Sequence, residues 1–393
     1  MAARVAYLAE NFGTVARAWE RTVPDLLLAT GGNTGNLAFW YAARLLFDAE
    51  EIHLISRNTR AAAIPKDVEV VVIPAANFLN AGADLGRLAE LIRAIGRPCL
   101  VVGLGAQAEQ ETAPPKLTDG TLDFLREVSR LSPTICIRGA FTQEFCRGLG
   151  VENTTVLGCP SLLINPDPRL GERLEQGIAA LPATGPVAVH AACIKPGIQS
   201  VERELARLVL LNPGSAYLVQ RPVEMMKAIY GQLPDGPGEG AYFKRCAEFL
   251  GFGTPDGLAA FLRTHGQIPS SVDAWADSLR RFVAGVNTRI HGTMMGVAAG
   301  LPSLCICHDT RTRELARQLR VPHIGPREVI ENRFSVPALF AAAGFSGASF
   351  DEGRREAAAG YADVVRAVGL TPSRHLLRFL EPDRVTTSAR QAA

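Results

Sequence analysis

Arginine, histidine and glycine occur at a spacing suited to anion chemistry in the segment Asn287-Thr-Arg-Ile-His-Gly-Thr. An apolar run, 282–286, precedes this segment, and a small-residue helical pattern, 293–299, follows it. This order predicts a strand, a loop and a helix of a parallel α/β sheet. It places Arg289 and His291 at the carboxyl end of a strand, where open sheets bind ligands. A guanidinium, an imidazole and free helix N–H groups in one place predict a site for an anion.

A glycine-rich turn, Gly31-Gly-Asn-Thr-Gly-Asn36, is a second candidate site near the start of the chain. The apolar run Leu26–Ala29 before it predicts a strand, and the pattern Asn36–Phe47 after it predicts a helix. Backbone N–H groups in such a turn can bind a phosphate or a sugar. The turn is not a Walker A loop, because no Gly-Lys-Ser/Thr follows. A tight turn capped by Asn33 or Asn36 is the alternative without a binding function.

Arg138 ends a further predicted strand, 135–137, immediately before a predicted helix. A guanidinium there can hold a carboxylate or a phosphate in bidentate fashion, and a surface ion pair is the equal alternative.

Another turn, Gly103-Leu-Gly-Ala-Gln-Ala108, matches a dinucleotide fingerprint in its letters only. Pro114 and Pro115 exclude the helix that must follow such a fingerprint. We therefore expect this turn to line a cleft rather than to bind a nicotinamide cofactor.

Composition limits the classes of protein that the chain can represent. Its 393 residues are too many for one ordinary core, which predicts two domains. It has 41 basic and 39 acidic residues, and a net charge of +2 argues against nucleic-acid binding. The 8 cysteines are scattered without a Cys-x-x-Cys pair, which predicts buried thiols rather than disulfides or a zinc site. No apolar run suits a signal peptide or a membrane span, so we expect a cytoplasmic protein, with peripheral membrane association left open.

Short apolar runs alternate with helical patterns, which predicts two doubly wound parallel sheets in series. The predicted strands are Leu26–Ala29, Ile52–Ile55, Val70–Ile73, Cys99–Leu104, Ile135–Ile137 and Thr155–Leu157, then Val187–His190, Tyr217–Gln220, Phe282–Val286, Leu304–Cys307 and His323–Ile324. We predict a first domain over 1–182, a second over 183–345, and a helical tail over 346–393 whose last residues are disordered. Two Rossmann-like domains facing each other across a cleft, with a tail that crosses back, resemble the GT-B architecture of glycosyltransferases.

A set of segments occurs in the order typical of one known family. They are Gly32-Asn-Thr-Gly-Asn36, Arg138 with Thr142, Leu157-Gly-Cys-Pro-Ser161, and Arg289-x-His291-Gly with Ala299-Gly-Leu-Pro302 and Asp309. The Arg-x-His-Gly and Gly-Leu-Pro block is the specific part of this set. From Asp25 to Pro326, the chain resembles the polysaccharide pyruvyl transferases.

This resemblance implies a transferase that moves pyruvate from phosphoenolpyruvate onto hydroxyls of a cell-surface polysaccharide or its precursor, forming a ketal. His291 is implied as the catalytic acid that protonates the methylene carbon, because an unperturbed imidazole titrates near neutral pH. The implied donor-binding residues are Arg289, Arg138, Gly292 and Thr293, and the implied acceptor-binding residues are Asn33, Gly35 and Asn36. The chemistry requires no metal and no cofactor besides the donor substrate. The acceptor sugar, a lipid link to it, and the oligomeric state stay open.

Two positions depart from the pattern of this family. Asn36 stands where an aspartate is common, and Arg138-Gly-Ala-Phe-Thr142 stands where Arg-Asp-x-x-Ser is frequent. Both changes remove a carboxylate from the side expected to face the acceptor. Two alternatives remain on the same fold. One is a nucleotide-sugar-dependent glycosyltransferase, which the lack of an acidic pair after the small-residue helix disfavours. The other is a non-catalytic saccharide-binding relative.

Overall fold

The computed structural model describes residues 3–108, 114–332 and 335–381. The strands of the first domain are β1 (Arg4–Leu8), β2 (Phe47–Asp48), β3 (Glu51–Ile55), β4 (Val70–Pro74), β5 (Cys99–Val102), β6 (Ile135–Ile137) and β7 (Thr154–Val156). Four of them form a parallel sheet in the order β3-β1-β4-β5. The parallel pair β6 and β7 continues this sheet through a bridge from Leu104 to Ile137. The order reverses between β1 and β4, which makes that point the expected ligand site of this domain.

The helices of the first domain cover both faces of this sheet. They are α1 (Val23–Leu28), α2 (Asn36–Arg44), α3 (Gly86–Ile95), α4 (Asp119–Leu131), α5 (Ala140–Gly148) and α6 (Leu170–Ala179). The predicted strand Leu26–Ala29 is wrong, because this apolar run belongs to α1. Pro24 in the first turn and the Thr22 side chain, which accepts from the Asp25 N–H, start a helix there. The first strand is β1 instead, a short apolar run that cannot be separated from a helix by periodicity alone.

The second domain contains a six-stranded parallel sheet in the order β10-β9-β8-β11-β12-β13, once its strands are numbered on from β7. Those strands are β8 (Val187–His190), β9 (Ala216–Leu218), β10 (Gly266–Gln267), β11 (Ala284–Asn287), β12 (Ser303–Ile306) and β13 (His323–Ile324). This is the Rossmann order, and it reverses between β8 and β11. Every residue of β8 and β11 is buried, as helices on both faces of a parallel sheet require.

The helices of the second domain pack around its sheet. They are α7 (Gln199–Leu211), α8 (Val223–Ile229), α9 (Ala241–Leu250), α10 (Pro255–His265), α11 (Val272–Leu279), α12 (Ile290–Ala298), α13 (Thr310–Gln318), α14 (Pro326–Glu331) and α15 (Val336–Ala343). Within the described ranges, no helix is long and apolar enough to cross a bilayer. All 8 cysteines are buried and unpaired, as predicted.

The tail crosses back to the first domain. It consists of α16 (Gly347–Ala367), β14 (Thr371–Pro372) and α17 (Arg374–Leu377). Strand β14 pairs antiparallel with β2, and the Tyr361 hydroxyl donates to the Gly158 carbonyl at 2.9 Å. The two sheets and this tail confirm the predicted pair of Rossmann-like domains in a GT-B-like arrangement. The predicted disorder of the last residues falls on 382–393, outside the described residues.

Candidate active site

Arg289 lies at the point where the strand order of the second domain reverses. It follows β11 and directly precedes α12. Its Nε donates to the Ala191 carbonyl at 3.2 Å and its Nη2 to the Ala192 carbonyl at 2.5 Å, just beyond β8. Burial lowers the pKa of Arg289, but a guanidinium remains charged at neutral pH. The side chain therefore joins the ends of the two central strands and places a positive charge at the edge of the cleft.

Glu202 of α7 holds the loop that Arg289 contacts. Its carboxylate is fully buried and accepts from the backbone N–H groups of Ala192 and Cys193 at 3.0 and 3.1 Å. It also accepts from the Thr288 hydroxyl at 2.7 Å. Burial raises the pKa of Glu202, while the Thr288 hydrogen bond and the charge of Arg289 lower it. A helix residue far from the motif in sequence thus fixes both sides of the strand-end loop.

His291 lies in the first turn of α12 and faces the first domain. Its ring centroid is 5.5 Å from that of Phe39 in α2. Part of the side chain remains exposed to the cleft. Desolvation between the domains, together with the positive charges of Arg311 and Arg138, lowers the pKa of His291 to about 3. The imidazole is therefore neutral at pH 7 in the ligand-free protein, unlike the unperturbed histidine assumed from the sequence.

Arg138, at the end of β6, is the contribution of the first domain to this charged region. The side chain is buried, and its Nη1 donates to the Asn77 amide oxygen. Its Nε is buried without a hydrogen-bond partner among the described residues. A Cβ on Gly105 would overlap this guanidinium, so the 103–108 turn lines the site, as expected from sequence. Burial lowers the pKa of Arg138 to about 10, with Glu314 opposing the shift, so the group stays cationic.

Arg311, in the first turn of α13, is a third arginine of the site and was not predicted. Its Nη2 lies 3.7 Å from a carboxylate oxygen of Asp309, and its Nε is buried without a partner in the described part of the chain. Asp309 caps α13, accepting from the Thr312 N–H at 2.8 Å. Burial alone would raise the pKa of Asp309, but Arg311 and His308 hold it well below its usual range. The ionised Asp309 therefore anchors the Arg311 side chain.

Gly292 and Thr293 do not point a free polar group into the cleft in this conformation. A Cβ on Gly292 would overlap the ring of His190, and the Gly292 N–H donates to the Arg289 carbonyl. Thr293 is fully buried, with its hydroxyl 3.5 Å from the Leu304 carbonyl. These contacts explain both residue types by packing. Direct donor binding by Gly292 and Thr293 stays a prediction.

The glycine-rich turn 31–36 follows α1 rather than a strand. Gly31 and Gly32 have φ values of 61° and 81°, which favour glycine. Asn33 accepts from the Gly35 N–H at 2.8 Å, and the Asn36 amide donates to the Thr30 carbonyl at 2.8 Å. Both asparagines therefore stabilise the turn, which was the alternative interpretation of this motif.

Gly35 marks a contact between the turn and the second domain. A Cβ on Gly35 would overlap the side chain of Gln220, which follows β9. The Thr34 N–H donates to the Gln220 carbonyl at 3.3 Å. The structure therefore assigns Gly35 a role in domain contact, and its predicted acceptor contact stays a prediction.

A pocket of about 510 Å³ opens beside this turn, at the carboxyl ends of β1, β3 and β4. It lies at the point where the strand order of the first domain reverses. Trp40 and Leu27 supply apolar surface, and the side chains of Asn36, Ser56 and Asn58 supply hydrogen-bonding groups. An aromatic face with several neutral polar groups is suited to a sugar ring.

Two pairs of adjacent residues join this pocket to the charged region. Asn77 holds Arg138, and its neighbour Phe78 lines the pocket. Phe39 contacts the His291 ring, and its neighbour Trp40 lines the pocket. The pocket of the first domain and the charged region therefore lie close to each other.

The fold defines a two-domain α/β protein with several arginine side chains close to where its domains meet. The family model for polysaccharide pyruvyl transferase matches residues 33–310, which is most of the chain. The chain belongs to this family and is a transferase of polysaccharide biosynthesis.

Solved structures with a similar course of the chain have low sequence identity. UDP-N-acetylglucosamine 2-epimerase from Rickettsia bellii is 10% identical with a TM-score of 0.46, over 94% of this chain and 96% of that one. MnaA from S. aureus, solved with UDP, is 10% identical with a TM-score of 0.43, over 95% and 99% of the two chains. A search of curated proteins finds no match. These values carry no statement about activity.

Proposed function

We propose that this transferase uses phosphoenolpyruvate as its donor and forms a pyruvyl ketal on a saccharide. The observation that carries this proposal is the grouping of Arg138, Arg289 and Arg311 around His291. The charges of Arg311 and Arg138 both act on the His291 imidazole, and that of Arg311 also acts on Arg289. Three guanidinium groups from two domains therefore share one small region.

Phosphoenolpyruvate matches this region because it carries a phosphate and a carboxylate on the same carbon atom of one small molecule. The buried Nε atoms of Arg138 and Arg311 have no partner among the described residues, and a buried donor normally finds one. Anionic oxygens between these guanidinium groups would complete them with charge-assisted hydrogen bonds. The uncapped N-terminus of α12 adds partial positive charge on the same side.

Donor binding also explains how a neutral His291 becomes an acid. The charges of Arg311 and Arg138 contribute to its low pKa, so a bound anion that offsets these charges raises that pKa. The imidazole then takes up a proton as the donor binds and delivers it to the methylene carbon. Donor affinity is accordingly expected to weaken as the pH rises through the His291 pKa of the complex.

In the proposed reaction, two sugar hydroxyls become bonded to one carbon atom, the first by addition and the second by replacing phosphate. Protonation of the methylene carbon of phosphoenolpyruvate breaks its double bond and leaves a cationic carbon that carries the phosphate. The first sugar hydroxyl bonds to this carbon and releases its proton. The carbon–oxygen bond to phosphate then breaks, the second hydroxyl takes its place and releases a proton, and the products are the ketal and inorganic phosphate.

The pocket of the first domain supports a saccharide acceptor. Trp40 provides an apolar face, and Asn36, Ser56 and Asn58 offer hydrogen bonds. Glu10 and Arg57 add one charge of each sign to the lining. Asn36 is thus the predicted acceptor residue that lies in this pocket, while Asn33 shapes the turn next to it.

The test is to incubate the purified protein with phosphoenolpyruvate and a panel of methyl glycosides. We expect phosphate release that depends on the glycoside, and a product with the methyl signal of a ketal in NMR. Calorimetry with phosphoenolpyruvate and with UDP provides the second arm. Saturable binding of UDP without binding of phosphoenolpyruvate contradicts the proposal and favours a nucleotide-sugar transferase.

A further inference from the structure

Glu314 of α13 reaches from the second domain to the start of α5 in the first. Its carboxylate accepts from the Thr142 N–H at 2.8 Å and from the Thr142 hydroxyl at 3.1 Å. Thr142 is the third residue of α5, whose N–H is normally satisfied by an N-cap side chain of the same helix. The N-cap of α5 is Gly139, which has no side chain to offer. The second domain therefore caps a helix of the first.

Gly139 makes room for this contact. Its φ and ψ are both −179°, an extended conformation that any residue adopts, so backbone geometry does not require glycine. A Cβ at this position would lie 2.7 Å from Oε1 and 2.8 Å from Cδ of Glu314. The space that a side chain at position 139 would need is thus filled by the side chain of Glu314.

The same carboxylate connects to the Arg138 guanidinium by two routes. Among the charges acting on the buried Arg138, that of Glu314 is the largest that stabilises its cationic form. The Thr142 hydroxyl donates to Glu314 and accepts from the Ala106 N–H at 3.1 Å. Ala106 follows Gly105, which packs against the Arg138 side chain.

Helix α13 supplies two further groups to the same boundary. The Thr310 hydroxyl donates to the Ala108 carbonyl at 2.7 Å, and Arg311 lies one residue further along the chain. One face of one helix thus brings a cross-domain hydrogen bond, a site cation and the Glu314 cap to the first domain.

We propose that Glu314 is a positioning residue of the donor site, supplied by the second domain, which holds Arg138 and the 105–106 turn in their binding geometry. The identity of the donor rests on the proposed function, but the coupling between Glu314 and Gly139 does not. The donor site is then complete only when the two domains are together, because the cap of α5 and the balancing charge of Arg138 both come from α13.

The test is a double-mutant cycle of Glu314→Ala and Gly139→Asp, with phosphoenolpyruvate as the probe. We expect Glu314→Ala to weaken phosphoenolpyruvate binding about ten-fold, the size of a lost cap or charged hydrogen bond, and to lower the Tm. Gly139→Asp alone is expected to be harmful, because the new side chain overlaps Glu314. In the Glu314→Ala background the same change is expected to help, because the introduced carboxylate then has space to cap the Thr142 N–H. The matched control is Glu144→Ala, which removes an exposed carboxylate of α5 that lines the same surface pocket as Gly139 and Glu314. This change should affect neither quantity.

The sign of the Gly139→Asp effect decides the inference. Equal effects of this change on the Tm and on phosphoenolpyruvate affinity in both backgrounds would overturn it, because the two positions would then be independent. A conservative variant, Glu314→Gln, keeps the packing and an acceptor oxygen; unchanged phosphoenolpyruvate affinity in this variant would overturn the electrostatic route to Arg138. Failure of the wild-type protein to bind phosphoenolpyruvate contradicts the proposed function instead, and the thermal measurements still test the shared place of Glu314 and Gly139.

Discussion

At the point where its strand order reverses, the first domain presents Trp40, Asn36 and Asn58 around an open pocket. At the corresponding point, the second domain presents Arg289 and His291, with Arg311 close by. The two sheets place their ligand sites by the same rule, since both sites lie beyond the carboxyl ends of central parallel strands. Their chemistry differs. The pocket of the first domain combines an aromatic face and amide groups with the opposite charges of Glu10 and Arg57, whereas arginines dominate the other region.

Under the proposed function, this difference separates the donor from the acceptor. A charged donor is attracted to the arginine side, where low water content strengthens each interaction. A neutral sugar gains more from an aromatic face and amide groups. Arg138 is the exception, because it comes from the first domain but lies with the cations of the second. The boundary between the cationic region and the aromatic pocket therefore does not coincide with the boundary between the domains.

Replacement of His291 by alanine is the largest test of the cationic side. We expect turnover to fall by about 10²–10⁴-fold, the range for a lost general acid. The pH dependence of phosphoenolpyruvate affinity that arises from His291 should disappear. The measurement is phosphate release in the presence of acceptor, with calorimetry for donor binding. His53→Ala, in β3 of the first domain, is the control. Turnover near that of the wild type removes His291 from the mechanism.

Replacement of Arg311 by methionine separates charge from packing on the same side. We expect phosphoenolpyruvate affinity to fall about 10- to 100-fold, as for the loss of charged hydrogen bonds. The pKa of His291 in the free protein should rise, because Arg311 is the largest charge that lowers it. Calorimetry and NMR titration of the imidazole measure the two effects. The control is Arg317→Met, an exposed arginine of the same helix, and equal affinity loss in both variants contradicts a specific role for Arg311.

Acid sensitivity should originate in the second domain, whose switch point contains the buried His190. Trp275 donates to its Nε2 at 2.9 Å, and burial lowers its pKa to about 4. Between pH 6.5 and 4 the unfolded chain binds more protons, so the free energy of unfolding falls as the pH falls. We expect His190 to account for about 2 kcal/mol of this loss between pH 6.5 and 5. Tm measurements at pH 7 and 5 check this, and the His190→Gln variant should show a smaller difference between the two. If the Tm of the variant fell between pH 7 and 5 by as much as that of the wild type, the acid sensitivity would come from other groups.

The smallest expected effect is that of a substitution in the pocket of the first domain. Replacement of Asn58 by alanine should raise the KM for the acceptor by about 2- to 10-fold, the value of one neutral hydrogen bond. Phosphoenolpyruvate affinity should not change, because Asn58 lines the pocket of the first domain. Steady-state kinetics with each substrate varied in turn measure both values. If the variant changed only the affinity for phosphoenolpyruvate and not the KM for the acceptor, the assignment of the acceptor to this pocket would be wrong.

Much of the second domain was predictable because its strands are continuous apolar runs ending at glycine or polar residues. β8, β11 and β12 lie within about two residues of their predicted positions. The first domain was harder at its start, where Leu26–Ala29 was assigned to a strand and β1 was missed. Arg311 could have been predicted from the sequence, because it lies in the first turn of a helix that follows a strand. Arg289, the N-cap of α12, and His291, in the first turn of α12, have the same kind of position. Glu202 carries no such signal, because an acidic residue in the first turn of a helix, here α7, is already explained by the helix dipole.

By itself, the amino-acid sequence determined the class of fold and the family. Strand–helix alternation and the residues that end each strand are local properties, and the topology of a parallel sheet then places those residues together. Only the tertiary structure decided the electrostatics of the site. His291 is neutral because burial, and after it the charges of Arg311 and Arg138, lower its pKa. Gly139 has no side chain because Glu314 from another domain occupies that place. Both facts depend on distances across the cleft, which no local pattern in the chain contains.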